Sequence, residues 1–289
     1  MYGKKAIYFN YKSFGGFIAF ILVPALLVLS GGSMAYMFLA WQPIFIGISA
    51  AILLSSPGFP RLLAINANAD LKENKYKKAL KKTGRAVKLP FAPLNVKTFH
   101  AYVLLLNGKI PEAKDALTKV KDKEMSYSEK SKWEAINAQL LWVESDNPDE
   151  GLKYLEDKDR KGADEAIAYT KGKLLNASDA TAAARKYNES SYEMHNANRD
   201  ILSNLVISYC RTGQTRDAKI LFRTLYNDLG CTSDSLYFMA NIKETENKYK
   251  DAVEFIKAAL EIETSATDIA NRSQLEKYLE ELNRGIYEI

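Results

Sequence analysis

The sequence predicts an all-α chain: an N-terminal transmembrane helical hairpin, then an α-solenoid of about six helix pairs closed by a C-terminal capping helix. Three observations predict it. Between Ser13 and Pro60 there is no Asp, Glu, Lys, Arg or His. The segment Glu73-Asn74-Lys75-Tyr76-Lys77-Lys78-Ala79-Leu80 nearly recurs as Glu246-Asn247-Lys248-Tyr249-Lys250-Asp251-Ala252-Val253. Between those copies, small residues return at the interval two packed helices require.

The apolar share of 47% is that of an ordinary globular protein, but the average conceals a partition. The uncharged stretch of about 48 residues is too long for one span, because roughly 20 residues cross the hydrocarbon core. It divides at Gly31-Gly32-Ser33 into a first span of about 14–30 and a second of about 34–56; a turn at Trp41-Gln42-Pro43 is the alternative division. Pro24 and Pro43 sit inside these spans, where a neighbouring helix re-satisfies the freed carbonyls. The pairs Gly15/Ala19 and Gly47/Ala51 offer small faces for close approach. Residues 1–60 therefore form a tail and membrane hairpin, and 61–289 the solenoid, with Pro57 and Pro60 ending the second span.

Orientation follows from the flanks. Lys4, Lys5 and Lys12 precede the first span, Arg61 and a Lys-rich helix follow the second, and the turn between them is uncharged. The positive-inside rule then sets both termini and the soluble part on the cytoplasmic side. A secretory signal peptide cleaved near Ser33-Met34-Ala35 is the competing reading. The second apolar run immediately after it argues against that, since cleavage would leave the run as an anchor. Cys210 and Cys231 are the only cysteines, and they have no framework spacing, which suits a reducing compartment.

The net charge of +5 is unevenly spread: up to residue 100 the only acids are Asp70 and Glu73. Lys72, Lys75, Lys77, Lys78, Lys81, Lys82, Arg85 and Lys88 follow the second span closely, where each base gains roughly 1 kcal/mol from anionic headgroups. Lipid contact is the expectation for this run, against a merely solvated face. Nucleic acid ranks well below lipid, because no stacking platform or recognition motif accompanies the bases.

Beyond the membrane segment the repeat decides the fold. Weaker relatives of the octapeptide end at Ala113 and Ala218, and aligning on the small residue gives the anchors Ala79, Ala113, Gly151, Ala184, Ala218 and Ala252. Their separations are 34, 38, 33, 34 and 34 positions. Ala67 and Ala240 occupy the facing helices, Ala86 and Ala259 receive the next unit, and Gly108 and Gly213 mark the turn as C-cap glycines do. Apolar stripes such as Leu202, Leu205, Val206 and Tyr209 complete each face. The segment from Ser265 onward reads as a capping helix, with Leu275, Leu279 and Leu282 on one side. From about residue 60 onward the chain resembles the tetratricopeptide repeat family, whose period is about 34 residues. The units at Gly151, with Pro148 where an aromatic is usual, and at Ala184 match it least, and plain helical hairpins are the alternative there.

That resemblance implies an elongated curved spiral with a concave groove for a peptide segment or helix of a partner protein. Carried onto this sequence, its groove-lining positions are Tyr169 and Lys173, Asn204 and Arg211, and Tyr237 and Asn241. Aromatics and Arg are interface anchors, and Lys, Arg and Asn hold a carboxylate or a peptide backbone. The Lys/Asn/Arg set of the family's chaperone-tail clamp is incomplete here. No catalytic constellation accompanies the repeat. A phosphate loop and a Gly-x-Ser-x-Gly elbow are absent, and His100 and His195 lack metal-ligand spacing. Asp149-Glu150 reads as the acidic first turn of a helix after Pro148. No enzyme activity, cofactor, metal or small-molecule substrate is expected. The expectation is a membrane-tethered scaffold or adaptor, with an accessory subunit of a membrane complex, recognised through its hairpin, as the alternative.

Overall fold

The computed structural model describes residues 58–121, 123–158 and 164–287. The chain divides into two units, Met1–Ser56 and Pro57–Ile289. The expected spans at about 14–30 and 34–56 lie outside the described residues, and among the described residues no helix is long and apolar enough to cross a membrane.

The second unit is all helix among its described residues. Its helices are α1 (Gly58–Lys72), α2 (Tyr76–Lys88), α3 (Leu94–Leu106), α4 (Ile110–Lys121), α5 (Tyr127–Ser145), α6 (Pro148–Leu155), α7 (Glu165–Ala177), α8 (Thr181–Met194), α9 (Arg199–Arg211), α10 (Thr215–Thr224), α11 (Ser233–Thr245), α12 (Tyr249–Glu261) and α13 (Arg272–Tyr287). A π-helical turn, Leu225–Leu229, extends α10. The first twelve helices pair in sequence, and α13 packs on α12. Pro60 is buried within α1, and the expected end of the second span before it lies outside the described residues.

Each pair closes through its small anchor. Ala79, Ala113, Gly151, Ala184, Ala218 and Ala252 are all buried, as are Ala67, Ala86, Ala240 and Ala259. Five residues before the anchor, the turn adopts positive φ at Asn74, Gly108, Asp146, Gly213 and Asn247. In four of these turns the next N–H reaches back to a carbonyl of the first helix, as in Lys75 to Asp70 at 2.8 Å and Lys248 to Lys243 at 2.8 Å. This backbone closure satisfies the orphan carbonyls of one helix and launches the next, so α2, α10 and α12 begin without side-chain caps. The N-caps of α5, α7, α9 and α11 are instead side chains: Ser126, Asp164, Asn198 and Thr232.

The two weakest sequence matches are nonetheless pairs of the same kind. Around Gly151, a long α5 and the loop before it absorb the 38-residue spacing, while Pro148 starts α6 at its first position and Asp149 and Glu150 form its acidic first turn. A Cβ at Gly151 would lie 2.5 Å from the Ala138 carbonyl oxygen, so only glycine permits this crossing. The pair α7/α8 is joined by amides instead of hydrocarbon. Asn188 donates to the Gly172 carbonyl at 3.3 Å and to Ser208 Oγ at 2.8 Å, and Ser208 in turn donates to Asn176 Oδ1 at 2.7 Å. At the end of the array α13 caps the core as expected, with Leu275 and Leu282 buried against the cluster of α9–α12.

The expected elongation of the curved spiral is corrected by contacts between its ends. The Arg199 guanidinium donates to the Lys72 carbonyl at 2.7 Å, and Asn74 Nδ2 to the Cys231 carbonyl at 3.2 Å. Glu263 Oε2 accepts from the Lys77 N–H at 2.9 Å, and the Leu106 carbonyl accepts from the Ala266 N–H at 3.0 Å. The array curves until its last two pairs meet its first two.

Two glycines test this packing in opposite directions. Gly151→Ala forces α5 and α6 apart and is expected to cost about 1–3 kcal/mol, whereas Gly84→Ala inside α2 meets its nearest neighbour, His100 Cε1, only at 3.8 Å. The second change should stabilise by about 0.5–1 kcal/mol through helix propensity. Thermal midpoints moving down for the first and up for the second check both.

Candidate functional site: the concave channel

The first helix of each pair, α1, α3, α5, α7, α9 and α11, lines the inner face of the curve. Two adjoining cavities lie there, of about 630 Å³ and about 560 Å³, and share Asn68, Tyr102, Lys132, Tyr169 and Asp200. The second is an apolar groove across α1, α3, α5 and α7, walled by Ile65, Val96, Phe99, Ala135, Ile136 and Tyr169. Ile65 is 65% exposed at its edge. On its floor Gln139 is buried, with Nε2 donating to Thr170 Oγ1 at 2.7 Å.

The larger cavity is polar, and three tyrosines, Tyr76, Tyr102 and Tyr169, reach it from α2, α3 and α7. Burial raises the pKa of all three, and Tyr102 and Tyr169 act on each other's titration. Arg199 pairs with Asp200 at 3.0 Å. Deeper in, Lys173 Nζ lies 3.4 Å from Asp234 Oδ2 and 3.7 Å from Asp268 Oδ1, and the Lys173 residue is only 7% exposed. Burial works against the Lys173 charge, yet Asp234 and Asp268 overcome it and hold the ammonium above its ordinary range. With one cation facing two buried carboxylates, Asp268 is pushed up to about 7, by burial first and by Asp234 second.

The six predicted groove residues divide. Tyr169, Lys173 and Asn204 line the polar cavity. Two of them are engaged within the chain: Lys173 holds carboxylates as expected, but they are its own chain's, and Asn204, 2% exposed, donates to the Tyr169 carbonyl at 2.8 Å. Arg211 and Tyr237 belong to a separate pocket of about 260 Å³. There the Arg211 guanidinium donates to the carbonyls of Asn176 and Ser178, the latter at 2.7 Å, closing the C-terminus of α7. Tyr237 packs edge-on against Phe238 and Tyr278, with centroids 5.1 and 5.6 Å apart. Asn241 is half-buried one turn further along α11.

Of the predicted basic run, Lys72, Lys77, Lys78, Lys81, Arg85 and Lys88 are exposed. Lys75 is paired with Glu73, and Lys82 with Asp70 at 2.6 Å. Sequence reasoning missed Phe91, which follows this helix, is 71% exposed and has φ +63°. Its position between Pro90 and Pro93 in a basic context was the available signal. It also missed Asp234 and Asp268, which look like a helix first-turn acid and a loop acid.

His100 Nδ1 lies 2.9 Å from Thr83 Oγ1, and burial lowers its pKa. Cys210 and Cys231 are free thiols, pushed up by burial to about 12 and about 11. Among the described residues no group of three or more His, Cys, Asp or Glu is placed to hold a metal ion.

A series of antiparallel helix pairs, each locked by a small residue and with first helices facing inward, defines a TPR-type α-solenoid. No family model and no curated protein matches the chain. Among solved structures, it is similar to a tetratricopeptide repeat protein from Parabacteroides merdae at 14% identity, covering 78% of this chain and 99% of that one, with a TM-score of 0.39. It is also similar to a thermophilic TPR protein from Thermus thermophilus at 13% identity, with the same two coverages and a TM-score of 0.37.

The buried triad predicts a pH dependence. Asp268 binds its proton more tightly folded, at about 7, than unfolded, near 3.9. Its contribution to stability is therefore complete below the unfolded value and is lost as pH rises through 7. The charged and titratable groups acting on it are Lys173, Asp234, Tyr76 and Tyr169. Exposed carboxylates with lowered pKa, such as Glu73 and Glu129, act at more acidic pH. Above about pH 6.5, beyond the range in which the lowered His100 pKa acts with the opposite sign, the thermal midpoint should thus fall towards about pH 8, and Asp268→Asn should flatten that slope.

Proposed function

We propose that the chain is a non-enzymatic, membrane-tethered scaffold that recruits a partner protein through its concave channel. The apolar groove across α1, α3, α5 and α7 carries the reading, because it sets an exposed Ile65 beside Phe99 and Tyr169 with charged residues at the rim. Aromatic and aliphatic anchors inside a polar border are the composition of a protein-binding surface. The occupant is an apolar face of a partner helix or peptide.

Tethering rests on the uncharged stretch before Pro60, read as a helical hairpin with both termini in the cytoplasm. Confinement to a thin layer raises effective concentration, so a modest groove affinity suffices. The exposed bases of α2 supply attraction to anionic headgroups, about 1 kcal/mol each. Phe91 adds an apolar contact at the end of the same helix, of the kind that anchors interfacial segments.

Two measurements test the halves separately. Crosslinking in native membranes followed by mass spectrometry should recover one specific protein. Ile65→Asp should reduce that recovery about tenfold with an unchanged thermal midpoint, because the exposed site tolerates a charge. If both forms recover the same proteins equally, the groove is not the recruiting surface. For the bilayer, a fragment of residues 58–289 should co-sediment with vesicles containing roughly one-third phosphatidylserine, and not with neutral vesicles. Phe91→Ala, or Lys77→Glu with Lys81→Glu, should each weaken this about tenfold.

A further inference from the structure

Between α12 and α13 the chain runs along the inside of the array. Ser265, Thr267 and Ala270 are buried there, and Ser265, Thr267 and Asp268 form part of the wall of the polar cavity. The segment is bound much as a separate peptide would be. Asp234 Oδ1 accepts from the Ile269 N–H at 2.8 Å and the Ala270 N–H at 3.2 Å. Lys173 faces the Asp268 carboxylate, the Leu106 carbonyl accepts from Ala266, and the Lys77 N–H donates to Glu263. Its own fold is a small turn, in which Asp268 Oδ2 accepts from the Ser265 N–H at 2.7 Å and Ser265 Oγ from the Thr267 N–H at 3.1 Å.

Two features distinguish this segment from permanent core. From Thr264 to Asp268 its largest apolar side chain is a methyl, so Ile269 and Ala270 supply nearly all of its hydrophobic anchoring. Segments with few buried apolar contacts open at a lower free energy than the helices around them. Its main electrostatic tie is a lysine shared with a second buried carboxylate, an arrangement whose desolvation offsets much of its attraction. Beside it lies the cavity of about 630 Å³, whose wall mixes Lys173, Asp200 and Asp234 with Leu71, Leu106 and Ile207.

We propose that Glu263–Asn271 is a displaceable internal ligand, occupying the part of the channel between α3, α7 and α11 that receives an extended partner segment with small hydroxyl side chains and one carboxylate. Lys173 is the carboxylate receptor and Asp234 the receptor for two successive backbone N–H groups. The channel thus has a self-occupied state and an open one. The inference rests on the channel being the recruiting surface, and it assigns that surface a second, polar binding position beside the apolar groove.

The first test uses the unmodified full chain in detergent micelles and follows amide hydrogen exchange. The amides of Ala266, Ile269 and Ala270 should exchange at least tenfold faster than those in the middle of α7 and α11, through an opening that leaves both helices protected. Exchange at the rate of those helices would overturn the proposal. The second test titrates a fluorescent nonapeptide of the Glu263–Asn271 sequence. Asp268→Lys in the full chain sets two ammonium groups against each other and evicts the chain's own segment, so the peptide should bind this variant at least tenfold more tightly than the unmodified chain. Adding Asp234→Ala should abolish that gain. Equal binding to all three proteins, or none to the Asp268→Lys variant once its helicity is shown intact, would also reject the proposal. Neither readout involves the recruited protein. A failed recovery from membranes therefore counts against the scaffold alone, and a segment that never opens counts against the internal ligand alone.

Discussion

Helices can touch backbone to backbone only where the side chain between them is no larger than a methyl group. In this chain that constraint recurs at Ala79, Ala113, Gly151, Ala184, Ala218 and Ala252, all buried. It fixes the crossing within each pair, and the crossing fixes which face each first helix turns inward. Tyr102, Tyr169, Lys173, Asp234 and the apolar groove all stand on those inward faces. Their convergence follows from the spacing of small residues, not from any local signal at the site.

The channel combines two environments that are costly to build side by side. Its apolar part exposes hydrocarbon that a monomer ordinarily hides. Its polar part buries a lysine with two aspartates, and one of those acids retains its proton up to about pH 7. Neither feature is needed to hold the pairs together, since the anchors, the turn motifs and the apolar clusters already do so. Structure that a fold does not need for its own integrity is where binding is best sought.

Much of this was legible in the sequence, and the illegible parts share a cause. The six anchors, the capping helix with Leu275 and Leu282, and the turn glycines Gly108 and Gly213 obey a fixed spacing, and local rules suffice to find them. The pair at Ala184 was faint because Asn176, Asn188 and Ser208 replace hydrocarbon with amide and hydroxyl contacts, which leave no apolar stripe to count. The groove positions transferred from the family separated into two places because Arg211 is consumed in closing the end of α7. Closure itself was invisible. Asp234 and Asp268 look ordinary in sequence, and their meaning arises only when Lys173, some sixty and ninety positions earlier, arrives between them.

The meeting of the two ends changes what kind of object the array is. In an open stack each unit leans only on its neighbours, and stability is close to a sum along a line. Here Asn74 reaches a carbonyl 157 positions away and Lys77 a carboxylate 186 positions away. Such ties link the earliest-made pairs to the last, so the line becomes a loop whose integrity is a collective property. A ribosome would have to release almost the whole chain before the first pair finds its final companions, and trimming either end of the helical array removes support from the opposite one.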